Sequence, residues 1–71
     1  MMKNRAYLTK REGEVLTQIA LGKTSKEAAA ILCVSKRTID FNLANIYDKL
    51  QVNNRVQAIR EATWLKLIGP V

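Results

Sequence analysis

The clearest pattern of hydrophobic and polar positions lies between residues 36 and 50. Apolar side chains recur there at intervals of four, three and four residues, at Ile39, Leu43, Ile46 and Leu50. This spacing puts them on one face of an α-helix and predicts that the face is buried. Phe41 lies outside the stripe, because about 100° of rotation per residue sets it roughly 200° from Ile39. The pattern therefore predicts a helix with a buried apolar face and an outward aromatic side chain.

Residues that favour the N-cap position precede four segments of the chain, at Thr9, Thr24, Ser35 and Asn54. Thr9 and Thr24 are each followed three residues later by Glu, which completes a capping box. Gly22 suits the residue after the first helix, and Gly69-Pro70 suits the end of the last. We therefore predict an all-α fold with helices over about residues 9–21, 25–32, 36–50 and 55–67.

The second and third predicted helices are separated only by a tight turn, which is typical of a helix-turn-helix. We expect residues 1–7 to be a flexible N-terminal segment and residues 8–71 to form one domain. Positions predicted to be buried outside the third helix are Val15, Leu16, Ile19, Val56, Ile59, Thr63 and Leu67. The single cysteine, Cys33, is expected to be a small core residue, with a redox sensor as the minor alternative.

Composition and charge limit the classes of function. The 71 residues carry a net charge of +6, which favours a polyanionic partner. One cysteine and no histidine argue against an internal disulfide, a zinc site and acid–base catalysis, so we expect neither an enzyme nor a cofactor. No apolar run approaches the roughly 18 residues of a membrane span, and no signal peptide is evident, which favours the cytoplasm.

The outward side of the third predicted helix carries groups that suit the edges of DNA bases. Candidate base-contacting residues are Lys36, Arg37, Asp40, Phe41, Ala44 and Asn45. Cations suit guanine, Asn suits adenine, Asp accepts from cytosine N4, and Phe can touch the thymine methyl group. Asp40 has a structural alternative, which is to pair with Lys36 one turn earlier.

Groups near helix ends are candidates for contact with DNA phosphates. These are Thr24, Lys26, Ser35, Thr38, Lys49 and Arg55. Backbone amides at helix N-termini add partial positive charge that favours phosphate. The alternative interpretation is a plain N-cap for Ser35 and a solvated surface charge for each cation.

These residues resemble the LuxR-type DNA-binding domain of bacterial transcription regulators. The resemblance extends from Leu8 to Ile68 and rests on Leu8-Thr9-x-Arg11-Glu12-x-Glu14-Val15-Leu16, Gly22, Lys26-Glu27-x-Ala29, Leu32, Val34-Ser35-x-x-Thr38-Ile39, Lys49-Leu50-x-Val52, Arg55, Ala58 and Leu67-Ile68. It implies a tetrahelical helix-turn-helix whose third helix enters the major groove. It also implies dimerisation through the last helix, so that two domains bind an inverted repeat in double-stranded DNA.

Details of the resemblance point to the quorum-sensing branch, where an aromatic at the position of Phe41 is frequent. The family usually has His where this chain has Asn42, a cation near Trp64 and Gly near Lys66. Most members also carry a sensing or receiver domain, which this sequence lacks. We therefore expect a stand-alone or excised DNA-binding module.

The fourth predicted helix is apolar on more than one side, which indicates a partner surface. The predicted dimer or partner interface consists of Ala58, Ala62, Trp64 and Leu65. The alternative is that Trp64 folds back over the N-terminal segment, against Tyr7. The leading function is therefore a homodimeric, sequence-specific transcription regulator. The competing one is an interaction module that pairs through this helix with a larger LuxR-type regulator; RNA polymerase is a further candidate partner.

Overall fold

The computed structural model describes residues 7–69, and these residues form four α-helices and no strand. The helices are α1 (Lys10–Ala20), α2 (Ser25–Leu32), α3 (Lys36–Leu50) and α4 (Arg55–Trp64). The predicted all-α helix-turn-helix is confirmed, with α2 and α3 joined by a three-residue turn. Residues 1–6 of the predicted N-terminal segment lie outside the described residues.

Each helix begins at the N-cap residue that the sequence predicts. The Thr9 amide donates to Glu12 Oε1 at 3.0 Å, and the Glu12 amide donates back to Thr9 Oγ1 at 3.1 Å. Thr24 and Glu27 form the same reciprocal pair at the start of α2. These bonds give partners to amides that a helix start would otherwise leave unpaired, so local sequence alone fixes where the helices begin.

The C-terminal ends of the helices share one hydrogen-bonding pattern within residues 7–69. In each, an amide beyond the helix reaches back to a carbonyl five residues earlier, as in the Schellman motif, at Lys23→Gln18, Val34→Ala29, Val52→Tyr47 and Leu67→Ala62. Gly22 takes the left-handed conformation this motif requires after α1, with φ 91°. The other left-handed residues are Cys33, Gln51 and Lys66, with φ of 60°, 57° and 60°. Three of the four turns therefore place a side chain in a conformation that favours glycine.

Two expectations fail at these turns. α4 ends at Trp64 rather than near residue 67, because the left-handed turn occurs at Lys66 and not at Gly69. Lysine gives no sequence signal for such a turn. Cys33 is exposed rather than buried, since its role is to end α2 in the left-handed conformation.

The core forms around α3, which packs against each of the other three helices. All four residues of its apolar stripe are buried, as are Val15, Leu16 and Ile19 of α1, so these predictions are confirmed. Ala28 and Ala29 of α2 complete this side of the core. Burial of the stripe determines how α3 is rotated about its own axis.

The inward face of α4 differs from the predicted one. Ala58 and Ala62 are fully buried, whereas Val56 is 69% exposed and Thr63 is also exposed. Ile59 and Leu67 are only partly buried at the edge of the core. Apolar residues occur on several sides of this helix, so their spacing did not single out one face. The small alanines allow the α4 backbone to approach the core closely.

A buried carboxylate joins the start of α1 to the last turn of α3. Glu12 Oε1 accepts a hydrogen bond from Lys49 Nζ at 2.7 Å, in addition to the one from the Thr9 amide. Burial by itself would raise the pKa of Glu12, but the bonds from Lys49 and Thr9 outweigh it and hold the pKa below its ordinary value. Lys49 Nζ also lies 5.5 Å from the centroid of the Tyr7 ring. The ion pair thus fixes the C-terminal end of α3 against α1.

We predict that Lys66→Gly raises the free energy of unfolding by about 1 kcal/mol, because glycine removes the steric cost of φ 60°. For a domain of this size, that gain corresponds to a rise in Tm of about 4–8 °C. Thermal unfolding followed by circular dichroism measures it. Lys66→Ala is the control, since it removes the same charge but keeps a Cβ, and a comparable gain there would contradict the backbone explanation.

We predict that Glu12→Gln destabilises the domain by about 1–2 kcal/mol at pH 7, because it removes the charge that Lys49 binds. Glutamine still accepts from the Thr9 amide, so the capping box is kept. The folded-state pKa of Glu12 is lowered, so its stabilisation is present above the ordinary value of 4.5 and is lost as pH falls through the folded-state pKa. Urea unfolding of both proteins should show the difference shrinking below pH 4.5.

Glu27→Gln is the matched control, because Glu27 occupies the same position of an exposed capping box. Its effect should be much smaller than that of Glu12→Gln. A destabilisation by Glu12→Gln that is equally large at pH 3 and pH 7 would rule out the ion pair as its cause.

Candidate nucleic-acid interface

The exposed side of α3 lies opposite its buried stripe. It contains the six residues predicted to contact bases, and we call it the outer face: Lys36, Arg37, Asp40, Phe41, Ala44 and Asn45. Phe41 is 66% exposed, and Arg37 and Ala44 are exposed as well, whereas Asn45 is half-buried. The structure therefore brings the predicted group together on one rigid surface, and its contact with bases stays a prediction.

Two members of the outer face bind each other. Lys36 Nζ donates to Asp40 Oδ2 at 2.8 Å, one helical turn apart, so the structural alternative for Asp40 is present. The hydrogen bond from Lys36 is the main reason that the pKa of Asp40 is lowered, followed by the Ser25 hydroxyl. The positive charge of Arg55, at the start of α4, adds to the effect. Asp40 is therefore held in its ionised form, chiefly by Lys36.

The N-terminus of α3 presents two linked hydroxyl groups. Ser35 Oγ accepts from the Thr38 amide at 3.1 Å, which confirms the N-cap interpretation, and lies 3.0 Å from Thr38 Oγ1. Only one of the two hydroxyl protons can lie between these oxygens, so the other is available to an external acceptor. Capping and phosphate contact are compatible at this position.

The cations predicted to contact phosphate differ in their surroundings. Lys26 and Arg55 are exposed near the starts of α2 and α4, as a solvated charge or a phosphate contact requires. Lys49 is instead half-buried and bound to Glu12, so its structural role is clear while its phosphate contact stays a prediction. Thr24 caps α2 by accepting from the Glu27 amide.

Asn42 has a role that the sequence did not reveal. Its Nδ2 donates to the Thr38 carbonyl oxygen at 2.8 Å, and the residue is half-buried at the flank of the outer face. An asparagine four residues after a helical carbonyl can bind back in this way, which is the only local signal for the contact. Asn42 is thus bound to its own helix rather than directed outward.

The predicted partner surface on α4 needs correction. Ala58 and Ala62 are fully buried in the core of the domain, so they cannot contact a partner directly. Trp64 is 79% exposed and Leu65 is partly buried. The alternative in which Trp64 folds back against Tyr7 is wrong for the part of the chain that the structure describes, because both side chains are largely exposed.

Residues 7–69 offer neither a metal site nor a membrane-spanning helix. These residues hold no group of His, Cys, Asp and Glu side chains that could bind a metal ion. None of their helices combines the length and apolar character needed to cross a membrane.

The sequence and the fold are similar to known regulators. Residues 6–62 match the model of a family described as bacterial regulatory proteins, luxR family. The transcriptional activator protein AnoR of Acinetobacter nosocomialis is 48% identical over 62 residues, which cover 87% of this chain and 26% of AnoR. The chain thus spans about a quarter of the length of this relative.

Solved structures show the same similarity. The structure of the transcription factor GerE superposes on this chain with a TM-score of 0.85 at 31% identity. The superposed region covers 92% of this chain and 97% of GerE. A VqmA–ligand–DNA complex from Vibrio cholera superposes with a TM-score of 0.74 at 27% identity and covers 87% of this chain and 27% of VqmA.

The family match covers most of the chain, and the four helices occur in the order and arrangement found in GerE. The chain therefore belongs to the LuxR family of bacterial regulatory proteins, as a DNA-binding helix-turn-helix domain of a transcription regulator and not as an enzyme.

Proposed function

We propose that the outer face of α3 enters the major groove of double-stranded DNA and recognises a specific sequence. The observation that carries the proposal is the exposure of Phe41 beside Arg37 on a helix whose opposite face is fully buried. A small domain gains nothing in folding from an exposed aromatic, whereas a major groove offers it thymine methyl groups. A similar domain occurs in VqmA, which was solved as a complex with a ligand and DNA, and this likeness supports DNA as the partner.

Affinity comes mainly from contacts to phosphates. The chain carries a net charge of +6, and Lys26 and Arg55 are exposed near the first turns of α2 and α4. The free hydroxyl proton of the Ser35–Thr38 pair adds a neutral donor at the N-terminus of α3. Such contacts position the protein on the duplex without selecting bases, and they make binding depend steeply on salt.

Sequence preference comes from the longer side chains of the outer face. The guanidinium group of Arg37 suits guanine, and Phe41 suits a thymine methyl group. Asn45 is half-buried and so less accessible to adenine than an exposed amide, while Ala44 contributes a methyl group at most. We therefore assign most of the discrimination to Arg37 and Phe41.

Two copies of the domain pair through α4 and bind an inverted repeat. Val56, Thr63 and Trp64 are exposed and lie within about 100° of one another around the helix, so they form one partly apolar strip. A strip of this kind on a small basic domain favours self-association. The same surface is the one that a larger LuxR-type regulator would bind under the competing function.

Selection of bound duplexes from a random pool, followed by affinity measurement, tests the proposal. We predict that wild-type protein selects an inverted repeat, and that Arg37→Ala with Phe41→Ala lowers affinity for it about tenfold or more while leaving binding to a scrambled duplex nearly unchanged. Each good base contact discriminates by about 1–3 kcal/mol, which gives this magnitude. The log–log salt slope should be about −0.9 per phosphate contact.

Trp64→Ala is the matched control, because it removes an exposed aromatic from α4 instead of α3. It should weaken binding to the full repeat but leave the preference for a single half-site intact. Unchanged preference in the Arg37 and Phe41 variant would refute recognition by α3. If the chain retards no duplex yet forms a complex with a full-length LuxR-type regulator that Trp64→Ala disrupts, the interaction module is the correct function.

A further inference from the structure

The Lys36–Asp40 pair lies on the surface proposed to bind DNA, yet it contributes little to the stability of the fold. Both side chains are largely in solvent, with 63% and 47% of their surface exposed. Exposed ion pairs contribute little to stability, and a cation that precedes its acid by four residues is the weaker of the two orders on a helix. The pair is therefore poorly explained as a stabiliser of α3.

The carboxylate of Asp40 lies in surroundings that favour negative charge. Its carboxylate is bound by Lys36 in the first turn of α3. The hydroxyl of Ser25, the first residue of α2, and the charge of Arg55, the first residue of α4, both favour its ionised form. Lys36 is thus the direct partner of the Asp40 carboxylate, and groups at the starts of α2 and α4 favour its charge from further away.

We propose that Asp40 adds to specificity by binding Lys36 and so withholding it from the phosphates of nonspecific DNA. The inference rests on the proposed function and adds to it a contact that weakens binding to incorrect sequences. On a wrong sequence the Lys36–Asp40 pair stays closed, so Lys36 makes no contact with phosphate. On the correct sequence Asp40 accepts a hydrogen bond from cytosine N4, which frees Lys36 to bind phosphate. Discrimination then arises because the base contact of Asp40 and the phosphate contact of Lys36 form together, and only on the correct sequence.

A mutant cycle on scrambled DNA tests the inference. The variants are Asp40→Asn, Lys36→Met and the double variant, each measured against a scrambled duplex and a selected duplex over a range of salt. Asp40→Asn should bind the scrambled duplex several-fold more tightly and steepen its salt slope by about 0.9, the equivalent of one further phosphate contact. In the Lys36→Met background this steepening should disappear, since no lysine is released.

Asp48→Asn controls for net charge, because Asp48 is an exposed acid on the same helix with no ion pair among the described residues. It should leave the salt slope unchanged. Circular dichroism checks that all variants are folded. We expect them to be, because Lys36 and Asp40 are both exposed.

The outcomes separate the inference from the proposed function. If wild-type protein prefers no duplex over another, the proposed function fails, while the slopes on scrambled DNA still decide the role of Asp40. Equal effects of Asp40→Asn with and without Lys36 overturn the inference, because they reveal long-range repulsion only. The inference is also overturned if Asp40→Asn binds the scrambled duplex no differently from wild-type protein, or if neither protein binds it.

Discussion

The burial of one apolar stripe on α3 is the constraint on which the rest of the structure depends. Ile39 and Ile46 are fully buried at the centre of the domain, and α3 packs against each of the other three helices. A helix that buries one side must leave the opposite side to solvent. The orientation of Phe41 and its neighbours is therefore a consequence of core packing, and the proposed DNA surface requires no local strain within the helix.

Specific contacts also fix both ends of α3. Ser35 caps its N-terminus, and the left-handed residue Gln51 ends it. The buried Glu12 carboxylate holds the last turn through Lys49. A surface that must match the spacing of base pairs benefits from such rigidity, since little conformational entropy is lost when it binds.

The sequence predicts the parts of this structure that depend on local rules. The N-caps mark all four helix starts, because a capping side chain acts within three residues of its own position. The stripe of α3 identifies its buried face, since a single face is apolar. Both signals are contained in a short window of sequence.

The failures occur where the determining contact is distant or the residue is atypical. The buried face of α4 consists of Ala58 and Ala62, which suit the core because they are small rather than because they are strongly hydrophobic. Larger apolar residues on other sides of the helix obscured this face in the sequence. Lys66 takes the left-handed conformation in which glycine is usual, so the end of α4 was placed too late. Glu12 and Lys49 are 37 residues apart in sequence, and nothing local indicates their pairing.

The most direct test of recognition by α3 is a titration of the isotope-labelled chain with a selected duplex, followed through its backbone amide chemical shifts. We predict that the largest changes fall on the outer face, at Arg37, Phe41 and Ala44, and on the first turn of α3, while the amides of buried Val15 and Leu16 change little. Changes concentrated around Trp64, with none on α3, would contradict the assignment of α3 as the helix that reads DNA.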